Sequence, residues 1–373
     1  MRPGPGPAAA PVPEPVAAPV PADDELLTAR PVVQRAAALA AGLAQDAARL
    51  EREGVDRALL DRMAAAGLLA VSGPPALGGA WPAEQRRVAE LLAGSSPDAW
   101  FVWFQHGPVV RMLKASENEA LVARCLPDLC AGRLLGGVAW SHLRTDRPTV
   151  TATRVDGGWS LSGSQPWCTG WGLTDVVLVG ALAPGAGPAG GDDVVFGIVP
   201  TGDRPALAST GELRLAAMGG TSTHALRLAD LVLADEDVVL RAPREPWTAA
   251  DRALNCNVQP STFGVALAAL DLLQPRAPQA AALLRERVLA VRAQAYRLLD
   301  EVDGGEELDR RLALRAQALL LQVECCTALL TARGGQGMDL AEPAQRLLRA
   351  AAFQVVHSQA SHVRAATLDA LVA

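Results

Sequence analysis

The sequence predicts an α+β protein, mainly α, with a helical N-terminal domain, a small central β-sandwich or barrel domain and a C-terminal four-helix bundle. Three observations predict it. Apolar residues recur at helical spacing to about residue 133, the period falls to two between Leu135 and about residue 240, and Leu/Ala-rich helical spacing returns from Asp251 to the end. The boundaries read as 25–133, 134–242 and 243–373, behind a Pro/Ala-rich tail over 1–24 that is expected to be disordered.

The elements follow in order. Ala36, Leu39, Ala40, Leu43, Ala47 and Leu50 lie on one helical face, and Gly54 stops the run. A second helix starts near Asp56, carries Leu59, Leu60 and Met63, and ends at Gly67. Gly and Pro make 67–79 a loop, and Pro82 opens a further helix, since proline fits a first turn. Another helix covers "AWFVWFQHGPVVRML", and the last of the domain covers 116–132, with Ser116 as cap and Glu119 three residues on. "TVTATRV", Asp-Gly-Gly and "WSLSG" read as a hairpin, because glycine tolerates the positive φ of a tight turn. "DVVLVGAL", "DVVFGIVP", "ELRLAAM" and "HALRLADLVL" continue as strands, with 183–193 as a flexible connection. The C-terminal helices break at "VDGGEE" and "RGGQGMD".

Composition narrows the function classes. With 373 residues, 50% hydrophobic and 20% charged, the chain is long and apolar enough to bury a large core. A net charge of −6 argues against nucleic acid, which attracts basic surfaces. No apolar run approaches the ~20 residues that span a bilayer, and the tail lacks the apolar stretch of a secretion signal. A cytoplasmic protein without a membrane or nucleic-acid partner is expected. The six cysteines lack zinc-type spacing, so they read as buried free thiols, and no metal site is expected.

One stretch points to a ligand. "SQPWCTGWGLTDVVLV" (164–179) places Trp167 and Trp171 around Thr169 in a chain with 8 tryptophans and 1 tyrosine. A flat aromatic face beside a hydroxyl suits a flat heterocycle, although both rings could instead cap the β-domain core.

Five stretches in a fixed order resemble the acyl-CoA dehydrogenase family: "GLLAVSGPPALGG", "ASENEALVARCLPDLCAGRLLGGVAWS", "GGWSLSGSQPWCTGWGLTDVVLV", "MGGTSTHALRLADLVLADEDVV" and "ARGGQGMDLAEPAQRLLRAA". The resemblance implies FAD. It places Trp167 and Thr169 along the isoalloxazine ring, Trp140 and Ser141 beside it, and Gly334, Gly335 and Gly337 at the pyrophosphate, in the family often that of a neighbouring subunit. It also implies a homodimer or homotetramer through the C-terminal helices, whose apolar faces at 262–300 and 310–333 suit that role, and a small-molecule or acyl-thioester substrate.

The departures bear on chemistry. Ser358 stands where the family's catalytic glutamate is expected, and a serine hydroxyl cannot unaided remove the α-proton of a thioester. Some relatives carry the base on the first C-terminal helix, which here has Leu254, with Asp251 one turn earlier as a substitute base or a helix cap. The family's loop that seats flavin and thioester is shortened to 141–148, and its phosphate-binding arginine motif has no counterpart in 272–288. His357 is a candidate to hydrogen-bond a flavin–oxygen adduct or to act as general acid/base near neutral pH. His142 and His106 are weaker candidates, and His224 and His362 read as surface residues. The expected function is an FAD-dependent oxidoreductase acting on the CH–CH group of an acyl thioester or related small molecule, with an electron-transfer partner; the alternatives are a two-component flavin monooxygenase served by a separate reductase and, second, a non-catalytic relative.

Overall fold

The computed structural model describes residues 24–373 except Asp203 and Gln359, so the tail expected to be disordered lies outside the described residues but for Asp24. The N-terminal helices are α1 (Asp24–Thr28), α2 (Pro31–Glu53), α3 (Arg57–Ala65), α4 (Pro82–Ser95), α5 (Pro97–Lys114) and α6 (Glu119–Ala131). Their ends follow local chemistry. Asp56 caps α3 by accepting from the Leu59 N–H at 2.7 Å, and Ser96 caps α5 by accepting from the Ala99 N–H at 3.3 Å. The expected Ser116 cap of α6 is corrected: Asn118 accepts from the Leu121 N–H, while the Ser116 hydroxyl donates to the Val239 carbonyl at 2.6 Å. Glu119 is consequently the first residue of the helix and cannot close a capping box.

Eight strands form one sheet: β1 (Gly136–Ala139), β2 (Val150–Val155), β3 (Gly158–Cys168), β4 (Val176–Ala183), β5 (Asp193–Pro200), β6 (Leu207–Glu212), β7 (His224–Ala234) and β8 (Val238–Pro243). Their order is β6-β7-β3-β2-β4-β5-β8, with β1 parallel to β4. β2 meets β4 at a single residue pair, Thr151 and Leu182, so the sheet folds over at this seam. One cluster fills the fold, with Leu161, Leu226 and Leu231 from one half facing Val177, Val179 and Val195 from the other. The outer face of β4 and β5 (Leu178, Leu182, Phe196) packs on Val109, Val110 and Leu113 of α5. All of β4 is therefore buried, and its sequence is apolar without alternation. "ELRLAAM" is largely not a strand. β6 precedes it and ends at Glu212, and the chain then turns through Met218 at φ 60°.

The C-terminal region opens at α7 (Arg244–Asn255), seven residues before the apolar helical spacing begins at Asp251, and continues as α8 (Pro260–Leu273), α9 (Pro278–Glu301), α10 (Leu308–Arg333), α11 (Pro343–Val356) and α12 (Ser361–Val372). α8, α9, α10 and α11 pack together as the bundle. The N- and C-terminal helices share one hydrophobic core, joined where α4 crosses α8. Glycines permit that crossing, since a Cβ on Gly264 would lie 2.2 Å from the Glu90 carbonyl oxygen. The Glu90 side chain is buried and fully engaged there, taking Arg292 at 2.6 and 3.1 Å, Arg87 at 3.0 Å and the Tyr296 hydroxyl at 2.6 Å. α10 is long and apolar enough to cross a membrane by length and composition, yet it buries Leu314, Leu321, Cys325 and Cys326 in this core. All six cysteines are buried and free, and burial pushes the Cys168 and Cys325 thiols up to about 12.

Candidate active site

A cavity of about 1530 Å³ opens between the sheet, α5, α7 and the end of α11. Trp140, Ser141, Trp167, Thr169, Asp251, Leu254, His357 and Ser358 all line it. Residues up to 218 positions apart in sequence are thus brought to one site by the folding of the sheet against both helical regions. Gly334, Gly335 and Gly337 do not line it. They form a short 3-10 turn after α10, where Gly337 makes room for Leu330 and nothing lies within 4 Å of a Cβ on Gly334 or Gly335.

The two tryptophans of the loop part company. Trp171 is 7% exposed and belongs to the β-domain core, whereas Trp167 is 47% exposed and turns its indole to the cavity. Thr169, between them, begins a chain of three hydroxyls. Its Oγ1 lies 2.9 Å from Thr223 Oγ1, which lies 2.8 Å from Thr221 Oγ1, and the Thr221 hydroxyl donates to the Met218 carbonyl at 2.8 Å. Each hydroxyl carries one proton. Thr221 has used its proton on Met218, so Thr223 must donate to Thr221, and Thr169 must donate to Thr223. Thr169 therefore faces the cavity as an acceptor. Gln165 adds a second acceptor: its amide nitrogen donates to the Trp167 carbonyl at 2.7 Å and to Ser141 Oγ at 3.2 Å, leaving a buried Oε1 with no partner.

These residues fit a flavin. A planar ring suits the Trp167 face, its N–H groups suit the orphaned Gln165 Oε1 and Thr169 Oγ1, and the Ser141 hydroxyl lines the same wall. Trp140 packs edge-on against Phe196.

On the opposite wall His357 ends α11 inside an aromatic cage. Its ring stacks on Phe353 with centroids 5.3 Å apart and meets Phe101 at 5.0 Å, Phe104 at 5.7 Å and Trp100 at 6.2 Å edge-on. Burial, and behind it the cations of Arg315 and Arg144, push the imidazole down to about 3. His357 is thus neutral near pH 7, which corrects the expectation of an acid/base titrating there: it offers one N–H donor and one acceptor. Ser358 Oγ lies 3.3 Å from its Nε2, and Ser358 sits at φ 53°, the left-handed region that a non-glycine residue rarely adopts. Arg315, buried on α10, holds this corner by donating to the carbonyls of Asn255 at 2.6 Å and His357 at 3.2 Å.

Asp251 is neither a cap nor a free base. It lies late in α7, and its carboxylate takes both Arg144 nitrogens at 2.9 Å and the Asn255 amide at 2.9 Å. His142 and His106 are structural. Nδ1 of His142 accepts from the Thr149 N–H and its Nε2 donates to the Gly180 carbonyl at 2.9 Å. Nδ1 of His106 accepts from Gly136 N–H, its Nε2 donates to the Leu129 carbonyl at 3.1 Å, and burial holds it down at about 4. His224 hydrogen-bonds Ser209 at 2.7 Å, and His224 and His362 are half-buried rather than fully exposed.

Sequence reading missed Gln165, Arg315, the cage phenylalanines and Arg111. The helical spacing of Phe101, Phe104, Pro108 and Arg111 was a usable signal, since it sets them on one face of α5.

Known proteins share this fold. Residues 28–133 match the family model described as acyl-CoA dehydrogenase, N-terminal domain. The chain is 26% identical over 212 residues to the isobutylamine N-hydroxylase of Streptomyces viridifaciens, an alignment that spans 53% of this chain and 54% of that relative. In three dimensions it resembles butyryl-CoA dehydrogenase from Megasphaera elsdenii, with TM-score 0.77 and 17% identity over 92% of this chain and 97% of the other. It resembles dibenzothiophene monooxygenase from Paenibacillus sp. A11-2 almost as well, with TM-score 0.75 and 18% identity over 92% of this chain and 97% of the other. The chain therefore has the acyl-CoA dehydrogenase fold, and residues 28–133 match the model of that family's N-terminal domain.

Proposed function

We propose that this chain is a flavin-dependent monooxygenase that works on reduced FAD supplied by a separate reductase. One observation carries the reading. Among the described residues lining the cavity the carboxylates are Asp146 and Asp251, and Asp251 is held by Arg144 and Asn255. Asp146 is exposed to solvent in the loop over 141–148, so neither carboxylate suits the abstraction of a thioester α-proton, and Ser358 and neutral His357 do not replace it. The polarity of the threonine chain supports the reading further. Thr169 accepts rather than donates, which suits the additional N–H of a reduced isoalloxazine. Relatives of both kinds share the fold, and the isobutylamine N-hydroxylase and the dibenzothiophene monooxygenase are oxygenating enzymes by name.

When bound, reduced FAD supplies two electrons to O2, so that one oxygen enters the substrate and the other leaves as water. The chain's own residues do the rest. Trp167 seats the ring, while Gln165 Oε1 and Thr169 Oγ1 orient it. Phe101, Phe104 and Phe353 exclude water from the reacting face. His357 holds a proton on one ring nitrogen and offers the other as acceptor, with Ser358 Oγ within reach. Leu272, Leu283 and Leu289 on α8 and α9 are exposed and suit assembly with a second copy of the chain.

Stopped-flow mixing of the protein and reduced FAD with oxygenated buffer tests the reading. A transient spectrum distinct from reduced and oxidised FAD, lengthened against free flavin, is expected. Oxidation with the single phase of free FAD would overturn it.

A further inference from the structure

The cavity wall changes character about two helical turns from the His357 cage. Phe101, Phe104, Pro108 and Arg111 run down one face of α5, all lining the cavity. The strip begins aromatic at His357 and ends in a cation. Seven residues separate Phe104 from Arg111, about 10 Å along the axis at 1.5 Å per residue.

The cations of the wall are mostly neutralised. Arg86 is paired with Asp300, Arg144 with Asp251 and Arg349 with Glu51. Arg364 lies on the exposed face of α12. Arg111, exposed like Arg364, is set apart by its place at the end of the aromatic strip on α5. Its side chain donates to Ser72 Oγ at 3.2 Å and has no carboxylate partner among the described residues. Arg111 is exposed and lines the cavity, and loss of hydration lowers its pKa. A guanidinium without a carboxylate partner on a cavity wall is free to take an anionic group of a ligand. Gly107 clears the space. A Cβ there would stand 3.1 Å from Arg111 Nη1 and 3.2 Å from Ser72 Oγ, and glycine inside a helix is itself unfavourable.

We infer that Arg111 and Ser72 bind the carboxylate of a substrate whose flat apolar body lies along Phe101, Phe104 and Pro108, with its reacting end at His357. This rests on the cavity being the active site proposed above. A single guanidinium fork matches one planar monoanion. The multiple phosphates of coenzyme A would require several cations, and among the described residues Arg111 is the one cation of α5 that lines the cavity.

Calorimetry on the full-length protein tests the inference with 5-phenylpentanoate and its isosteric neutral analogue, 5-phenylpentanamide. The carboxylate is expected to bind about 10-fold tighter or more, and Arg111→Gln is expected to bring both ligands to the same affinity. Should Arg111→Gln not fold, Ser72→Ala serves instead and reduces the preference several-fold. Equal affinities in the wild type, a preference retained in the variant, or binding of neither ligand would overturn the inference. FAD titration in the same samples separates the outcomes: FAD binding without carboxylate preference sinks this inference alone, whereas failure to bind FAD sinks the flavin reading.

Discussion

At the scale of residues, the chemistry depends on proton placement more than on residue type. Thr169 was legible in the sequence as a hydroxyl beside a tryptophan, but its direction was not, because that is set by Thr223, Thr221 and the Met218 carbonyl across a turn. Thr223→Val would free the Thr169 proton for donation. Oxidised FAD, whose ring nitrogen accepts, should then bind several-fold tighter relative to reduced FAD, as anaerobic fluorescence titration would show; an unchanged ratio would remove the role given to the chain. Asp98 gives a second test at this scale. Burial raises its carboxyl to about 6, opposed by the Gly220 N–H it accepts at 2.8 Å. A folded pKa above the unfolded value of 3.8 means that its stabilising contribution is present below 3.8 and lost as pH rises through 6. Asp98→Asn should therefore gain roughly 1–3 kcal/mol at pH 8 and little at pH 3.5, measured by urea unfolding. His106 and His357 have the opposite sign: with folded values of about 4 and about 3, they withdraw stability as pH falls below 6.5.

At the scale of elements, helices with one apolar face were legible and the exceptions have physical causes. The α2 stripe matches its buried residues Ala36, Ala40, Leu43, Ala47 and Leu50. "ELRLAAM" alternates like a strand, yet the turn at Met218 takes most of it out of the sheet. α7 starts early because Arg244 to Ala250 carries few apolar residues, so its helix is invisible to an apolar pattern. The α4–α8 crossing was not readable at all, since it depends on Gly94 and Gly264 meeting over a distance in sequence that no local pattern spans. Gly264→Ala should cost roughly 1–3 kcal/mol by overpacking, because its Cβ would meet backbone rather than a movable side chain. Thermal unfolding checks this, and a variant as stable as the parent would show that the helices can part without penalty.

At the scale of the whole molecule, three regions in sequence become two bodies in space: a folded-over sheet and one continuous helical core built from both ends of the chain. Their junction is the cavity. The order helical, β, helical was legible from periodicity, while Trp167, Thr169, His357 and Ser358 were singled out by the family resemblance and line one cavity. The aromatic cage, Arg111 and the engagement of Asp251 were not, because each depends on which side chains meet across that junction. The central claim is that this junction holds a flavin with no carboxylate base beside it. Anaerobic titration of the purified protein with FAD and then with butyryl-CoA tests it most directly. Bound FAD that keeps its oxidised absorption after butyryl-CoA is added is the expected result; bleaching of the flavin by the thioester, or no binding of FAD in either redox state, would contradict it.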